Sequence, residues 1–159
     1  LCKLARLFYF ASDMPSDKSK ALLALQKGIS LHSTLANYYL ALHYNQERDY
    51  QQAKEYFTVS ASKDLPKSYY YLGINLESIR RYKQAFLNFK KGAELGEPDC
   101  QYNAARMMHQ GKNIEKDSES AYKLFKMAAE QGLSSAQYWT AWCRLSGVGI
   151  SQNLADATR

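Results

Sequence analysis

Small and apolar residues recur along this chain at intervals of three and four, the period of a helix that buries one face. The clearest stretch is 98–133, which holds two such patterns, one from Cys100 to about Gln110 and one from about Asp117 to Gln131. Between them Gly111 suits the left-handed residue that ends the first helix, and Asp117 suits the cap of the second. Gly132 closes the second helix, and the pattern begins again at Ser134.

The rest of the chain repeats this unit, complete or trimmed. Ala105 anchors the first helix and Ala121 follows 16 residues later, a spacing shared by Ala5 with Ala21 and Ala141 with Ala157. In the middle, Ala41 and Ala53, and Gly73 and Ala85, stand 12 apart. The second-helix anchors Ala21, Ala53, Ala85, Ala121 and Ala157 are thus separated by 32, 32, 36 and 36 residues. That period marks a stacked helical repeat, because a single helix pair cannot bury its apolar face alone.

Other columns keep the register. Three residues before the first anchor stand Tyr38, Tyr70, Tyr102 and Tyr138, with Cys2 as the exception; four residues after the second stand Leu25, Phe57, Phe89 and Phe125. Second helices close at His32, Asp64, Gly96 and Gly132, where a left-handed residue is needed. They begin after Asp17, Asp49, Asp117 and Asn153, and only Arg81 breaks that column of caps. The predicted repeats are 1–33, 34–65, 66–97, 98–133 and 134–159, the last incomplete. Two of their turns, 45–50 and 77–82, are four residues shorter, which predicts a locally different pitch.

The 98–133 unit resembles the Sel1-like repeat, a relative of the tetratricopeptide repeat. The matching residues are Cys100-Gln101-Tyr102-Asn103-Ala104-Ala105, then Gly111, Ile114, Asp117, Ala121 and the Ala128–Gly132 close. The last copy adds Ala136-Gln137-Tyr138 and the turn Gly147-Val148-Gly149. The two short copies stand nearer to tetratricopeptide spacing at Tyr71-Leu72-Gly73, Ala85, Phe89 and Gly92. The resemblance covers essentially the whole chain. It implies an all-α fold, a right-handed α-solenoid of stacked antiparallel helix pairs forming one continuous array, with first helices lining a concave groove and second helices facing outward. It also implies a non-catalytic protein–protein interaction scaffold or adaptor without a cofactor.

Composition changes this picture little. The net charge of +6 raises the question of nucleic acid. Yet Lys18, Lys20, Lys27, Lys54, Lys83, Lys90, Lys91, Lys123 and Lys126 all fall on second helices, the outward side in the resembling family. First helices carry few basic residues, notably Lys3, Arg6, Arg106 and Arg144. Single-stranded RNA binding is therefore the alternative function, disfavoured by this placement. Cys2, Cys100 and Cys143 occupy three different columns and form no CxxC, so they read as structural thiols, and their use leans toward a reducing compartment. No run is apolar enough to span a bilayer. His32, His43 and His109 form no metal or catalytic pattern, and Gly147-Val148-Gly149 follows no strand, so neither a metal site nor catalysis is expected.

The candidate binding surface is the tyrosine column together with the positions one turn on. On the face that the family makes concave, Tyr38, Leu42, Tyr70, Ile74, Tyr102, Arg106, His109, Tyr138 and Trp142 are the expected partner contacts. The tyrosines belong to the repeat's own consensus and serve packing as readily as recognition. The residues four positions on, Leu42, Ile74, Arg106 and Trp142, differ in chemistry and are where selectivity is expected. A protein or peptide partner fits such a stripe. Leu1 falls inside a first helix and Arg159 inside a second. The chain thus reads as part of a longer array whose open ends, Leu1, Leu4 and Leu7 and Trp142, Leu145, Val148 and Leu154, predict end-to-end self-association.

Overall fold

The computed structural model describes residues 15–111 and 113–150. They form eight α-helices and no strand: α1 (Pro15–Ser30), α2 (Thr34–Gln46), α3 (Tyr50–Ala61), α4 (Pro66–Ser78), α5 (Tyr82–Glu94), α6 (Pro98–Gln110), α7 (Ser118–Glu130) and α8 (Ser134–Ser146). The chain divides into two compact units, Leu1–Ser68 and Tyr69–Arg159. In the first, α2 packs on α1 and α3; in the second, α6 packs on α5 and α7, and α7 on α8. Side chains before residue 19, and everything after Ile150, lie outside the described residues. That leaves the expectations on Leu1, Cys2, Lys3, Leu4, Ala5, Arg6, Leu7, Asp17, Lys18, Asn153, Leu154 and Ala157 outside them too.

The helices end where the columns placed their ends. His32, Asp64, Gly96 and Gly132 all take positive φ, at 57°, 54°, 87° and 90°. Each sits in a Schellman arrangement: the residue after it donates its N–H back across five residues, as Ser33 does to Gly28 at 3.0 Å and Leu133 to Ala128 at 3.1 Å. Two of the carbonyls left open at each helix end are thereby satisfied by backbone N–H groups, as Ala128 and Ala129 are by Leu133 and Gly132. Asp49 and Asp117 cap α3 and α7, their carboxylates accepting from the Gln52 and Ser120 amides at 3.1 and 3.0 Å. Arg81 makes no such bond at the start of α5.

The shortened turns are built in a way the sequence columns did not indicate. Arg48 and Arg80 occupy the left-handed region at φ 63° and 62°. Asp49 then donates to the Tyr44 carbonyl and Arg81 to the Leu76 carbonyl, both at 2.9 Å. The first helix therefore closes by the same device as the second, and the next helix starts at once. In the long turn Gly111 holds this role at φ 64°, followed by 113–117.

Packing follows the small-residue columns. Ala53 and Ala85 have no exposed surface, Ala121 has 1% and Ala21 2%. Opposite them Ala41, Gly73 and Ala105 are buried. Phe57, Phe89 and Phe125 are fully enclosed, and Leu25 holds the equivalent place in α1. Burying one such ring contributes roughly 1.5–3 kcal/mol. Ala141 departs from its column: it is exposed, and the Ala157 expected to cover it lies outside the described residues. Gly73 shows how close the helices come, since a Cβ there would run into the Phe89 ring, 2.6 Å from Cδ1.

Two stability predictions follow from these contacts. Gly73→Ala should destabilise the protein by about 1–3 kcal/mol through overpacking, read as a lower urea midpoint with an unchanged slope. Arg81→Asp should add about 1 kcal/mol by supplying the missing cap, and a neutral outcome would show that first-turn amide to be satisfied already.

Candidate functional site

The expected contact residues fall into both units. In the first, Tyr38 is buried, its ring 6.0 Å from that of Phe57, and Leu42 is half-buried. Tyr102 repeats this relation in the second unit, 5.8 Å from Phe125 and at nearly the same tilt. These two tyrosines brace the phenylalanine of their own helix pair, so packing accounts for much of the column. Tyr138 differs. It is 66% exposed and meets Trp139 edge-on at 6.0 Å. Tyr70 and Ile74 are half-buried on α4, and burial is the main cause that raises the Tyr70 hydroxyl above its ordinary pKa, with Asp99, Tyr71 and Cys100 adding to it.

The varied positions are joined from one repeat to the next. Arg106 on α6 donates from one guanidinium nitrogen to both oxygens of Glu77 on α4, each at 2.8 Å, and to Asn103 Oδ1 at 3.2 Å. Both members of the ion pair keep about a quarter of their side chains exposed, 24% and 25%. One repeat on, His109 of α6 meets Trp142 of α8 at 5.4 Å and Trp139 at 5.2 Å. In each case the residue four positions after one anchor meets the residue one position after the next anchor. The line from α4 through α6 to α8 is therefore a face of the second unit, assembled from Glu77, Arg106, His109 and Trp142.

Trp142 is more deeply engaged than a free contact residue. It packs partly on the buried cluster of Ala105, Ala121, Tyr122, Phe125 and Cys143. Burial holds His109 below its ordinary pKa, and the charge of Lys116 adds to the shift. Leu145, one turn beyond Trp142, is 90% exposed. Among the described residues no group of histidine, cysteine and acidic side chains could hold a metal ion, and no helix is long and apolar enough to cross a membrane. Cys100 and Cys143 are buried free thiols, and burial raises the pKa of both. The described lysines of the second helices are exposed, with Lys123 and Lys126 tied to Glu119 and Glu130 along α7.

A family model described as the Sel1 repeat matches residues 1–31, 34–65, 66–97, 98–133 and 134–158. The chain belongs to the Sel1 repeat family. Solved structures share its fold, two of them as follows. One is a protective antigen present in uropathogenic Escherichia coli strains and displaying an SLR fold, at 27% identity and a TM-score of 0.83, covering 94% of this chain. The other is a Sel1 repeat protein from Oxalobacter formigenes, at 18% identity and a TM-score of 0.82 over 94% of this chain. The present chain spans 34% of the first and 64% of the second. A comparison with curated proteins gave no match. The fold class is the all-α solenoid of the Sel1 repeat, whose members are generally protein-interaction scaffolds and typically non-catalytic.

Within this Sel1 repeat face, column reading passed over Trp139. A signal was present, because the positions two before the last four anchors read Tyr39, Tyr71, Asn103 and Trp139, three of them aromatic. Trp139 stacks on Phe125 at 5.6 Å and 9°, linking the face to the core. A hollow of about 530 Å³ on the other side of α6, between α5 and α7, was likewise absent from the sequence reading; Phe86, Met108, Leu124 and Met127 line it, with Lys90 and Lys123. For the ion pair, a double-mutant cycle on Glu77 and Arg106 should return a coupling of about 1 kcal/mol that shrinks with added salt.

Proposed function

We propose that this chain is a non-catalytic adaptor that binds a protein or peptide partner on the face of its first helices, with α4, α6 and α8 supplying selectivity in the second unit. The supporting observation is the pairing of the varied columns. Glu77 with Arg106 and His109 with Trp142 hold chemically distinct groups at fixed positions, and Tyr138 stands exposed one turn before Trp142 on α8. A rigid aromatic anchor flanked by ordered polar groups is the usual composition of a binding hot spot. The pairing also explains how the face stays ordered, since Arg106 is held by Glu77 and Asn103 before any partner arrives. Less side-chain entropy is then lost on association. Leu42 on α2 belongs to the same reading in the first unit, and Tyr70 and Ile74 add area in the second, while Tyr38 and Tyr102 support the face from beneath by packing on Phe57 and Phe125. Self-association through the α8 end, where Tyr138 and Leu145 are exposed, is a further element of the proposal.

The test uses a peptide selected on the full chain from a random library. Tyr138→Ala and Arg106→Ala should each weaken its binding by at least about tenfold, with helicity unchanged and melting nearly so. Trp142→Ala should weaken binding and also lower the melting temperature, because its ring is part of the core edge. Phe125→Ala should cost about 3–5 kcal/mol of stability whatever the peptide. Binding that survives both Tyr138→Ala and Arg106→Ala would move the interaction off this face.

A further inference from the structure

One titratable ring stands against both tryptophans of the chain. His109 lies 5.2 Å from Trp139 at an interplanar angle of 57° and 5.4 Å from Trp142 at 82°, and the two indoles meet each other edge to face at 5.4 Å. Trp139 is anchored below by Phe125 of α7. This cluster is the aromatic junction of α6 with α8, and His109 is the only member that changes charge near neutral pH. The groups around it are these. On α6, Arg106 is one turn back and held by Glu77 of α4. The segment between α6 and α7 brings Lys116, next to the exposed Glu115. From α8 come the two indoles; its Arg144 reaches the Tyr122 hydroxyl of α7 at 3.3 Å, and its Cys143 is buried.

We infer that His109 is the pH-sensitive element of this face: as the neutral imidazole it keeps the α6–α8 aromatic junction closed and supports partner binding, and as the imidazolium it loosens the junction and weakens binding. The inference rests on the reading of this face as partner-binding. Two effects oppose the imidazolium. The ring is partly withdrawn from water between the indoles, which disfavours its charged form, and Lys116 repels it. A cation beside an indole is attracted to the ring face, which acts in the opposite direction. The withdrawal of the ring from water and the charge of Lys116 act against that attraction, and the titration below reads which prevails.

The sign follows. A histidine whose folded pKa lies below the ordinary 6.5 favours the folded state in its neutral form. Its contribution is complete above 6.5, declines as the pH falls below that value, and levels off under the lowered folded pKa. The closed junction is therefore the neutral-pH state.

The chain has two tryptophans, and both touch His109, so indole fluorescence reads the junction directly. Titrated from about pH 8 to about pH 5, the full chain should show a transition with its midpoint below 6.5. His109→Gln should remove that transition, and Lys116→Ala should move its midpoint upward. For the library-selected peptide, affinity should fall about tenfold across the transition, and the ratio of the two affinities should approach one in His109→Gln. A midpoint at or above 6.5, or a transition that persists in His109→Gln, overturns the inference. So does a fluorescence transition with no change in peptide affinity. Peptide binding that survives both Tyr138→Ala and Arg106→Ala would instead strike the partner-binding reading itself, and the fluorescence titration, which needs no peptide, tells the two failures apart.

Discussion

The structure depends on close approach between paired helices. Ala41 against Ala53, Gly73 against Ala85 and Ala105 against Ala121 leave no room for side chains at the crossing, and the phenylalanine one turn further on fills the space beside it. Phe89 lies against Gly73 so closely that one added carbon would collide with it. Isolated helices of 12 to 16 residues are marginal in water. Ordering each residue costs about 1–2 kcal/mol, which hydrophobic burial offsets only when several pairs stack. The columns of small and aromatic residues are thus the condition for any face to exist.

That constraint also determines where variation is tolerated. Positions at and next to the crossing are committed to packing, and Tyr38 and Tyr102 are drawn into the same role by their phenylalanines. What remains is a strip on the first helices whose residues contact the next repeat without entering the crossing. Arg106, Glu77 and His109 occupy it, and they differ from one repeat to the next because the fold asks little of them. Trp142 stands at its boundary, half in the strip and half on the core. The hollow between α5 and α7 has an apolar floor, but its charged lining is balanced: Lys90 and Lys123 face Glu94 and Asp117, and Asp117 is already engaged as a cap.

Much of this was legible in the sequence. Periods of 32 and 36 residues, the phenylalanine column and the capping aspartates all express local rules, helix ends and buried spacing, that act within one repeat. The left-handed arginines were not legible, because nothing in Arg48 or Arg80 favours positive φ; the short turn and its hydrogen bonds impose it. Nor was the Glu77–Arg106 pair, whose members stand 29 residues apart and meet only because repeats stack. Trp139 was missed for a related reason: it falls between the two columns taken as the face, and its importance comes from linking Phe125 to His109.

The central claim is that the strip on α4, α6 and α8 is where a partner docks. Photo-crosslinking tests it most directly, with a photoreactive residue placed at the exposed Tyr138 in one variant and at the exposed Lys90 of α5 in another. The account predicts covalent adducts with the bound peptide from position 138 and none from position 90. Adducts from position 90 alone would place the partner on the second helices and contradict it.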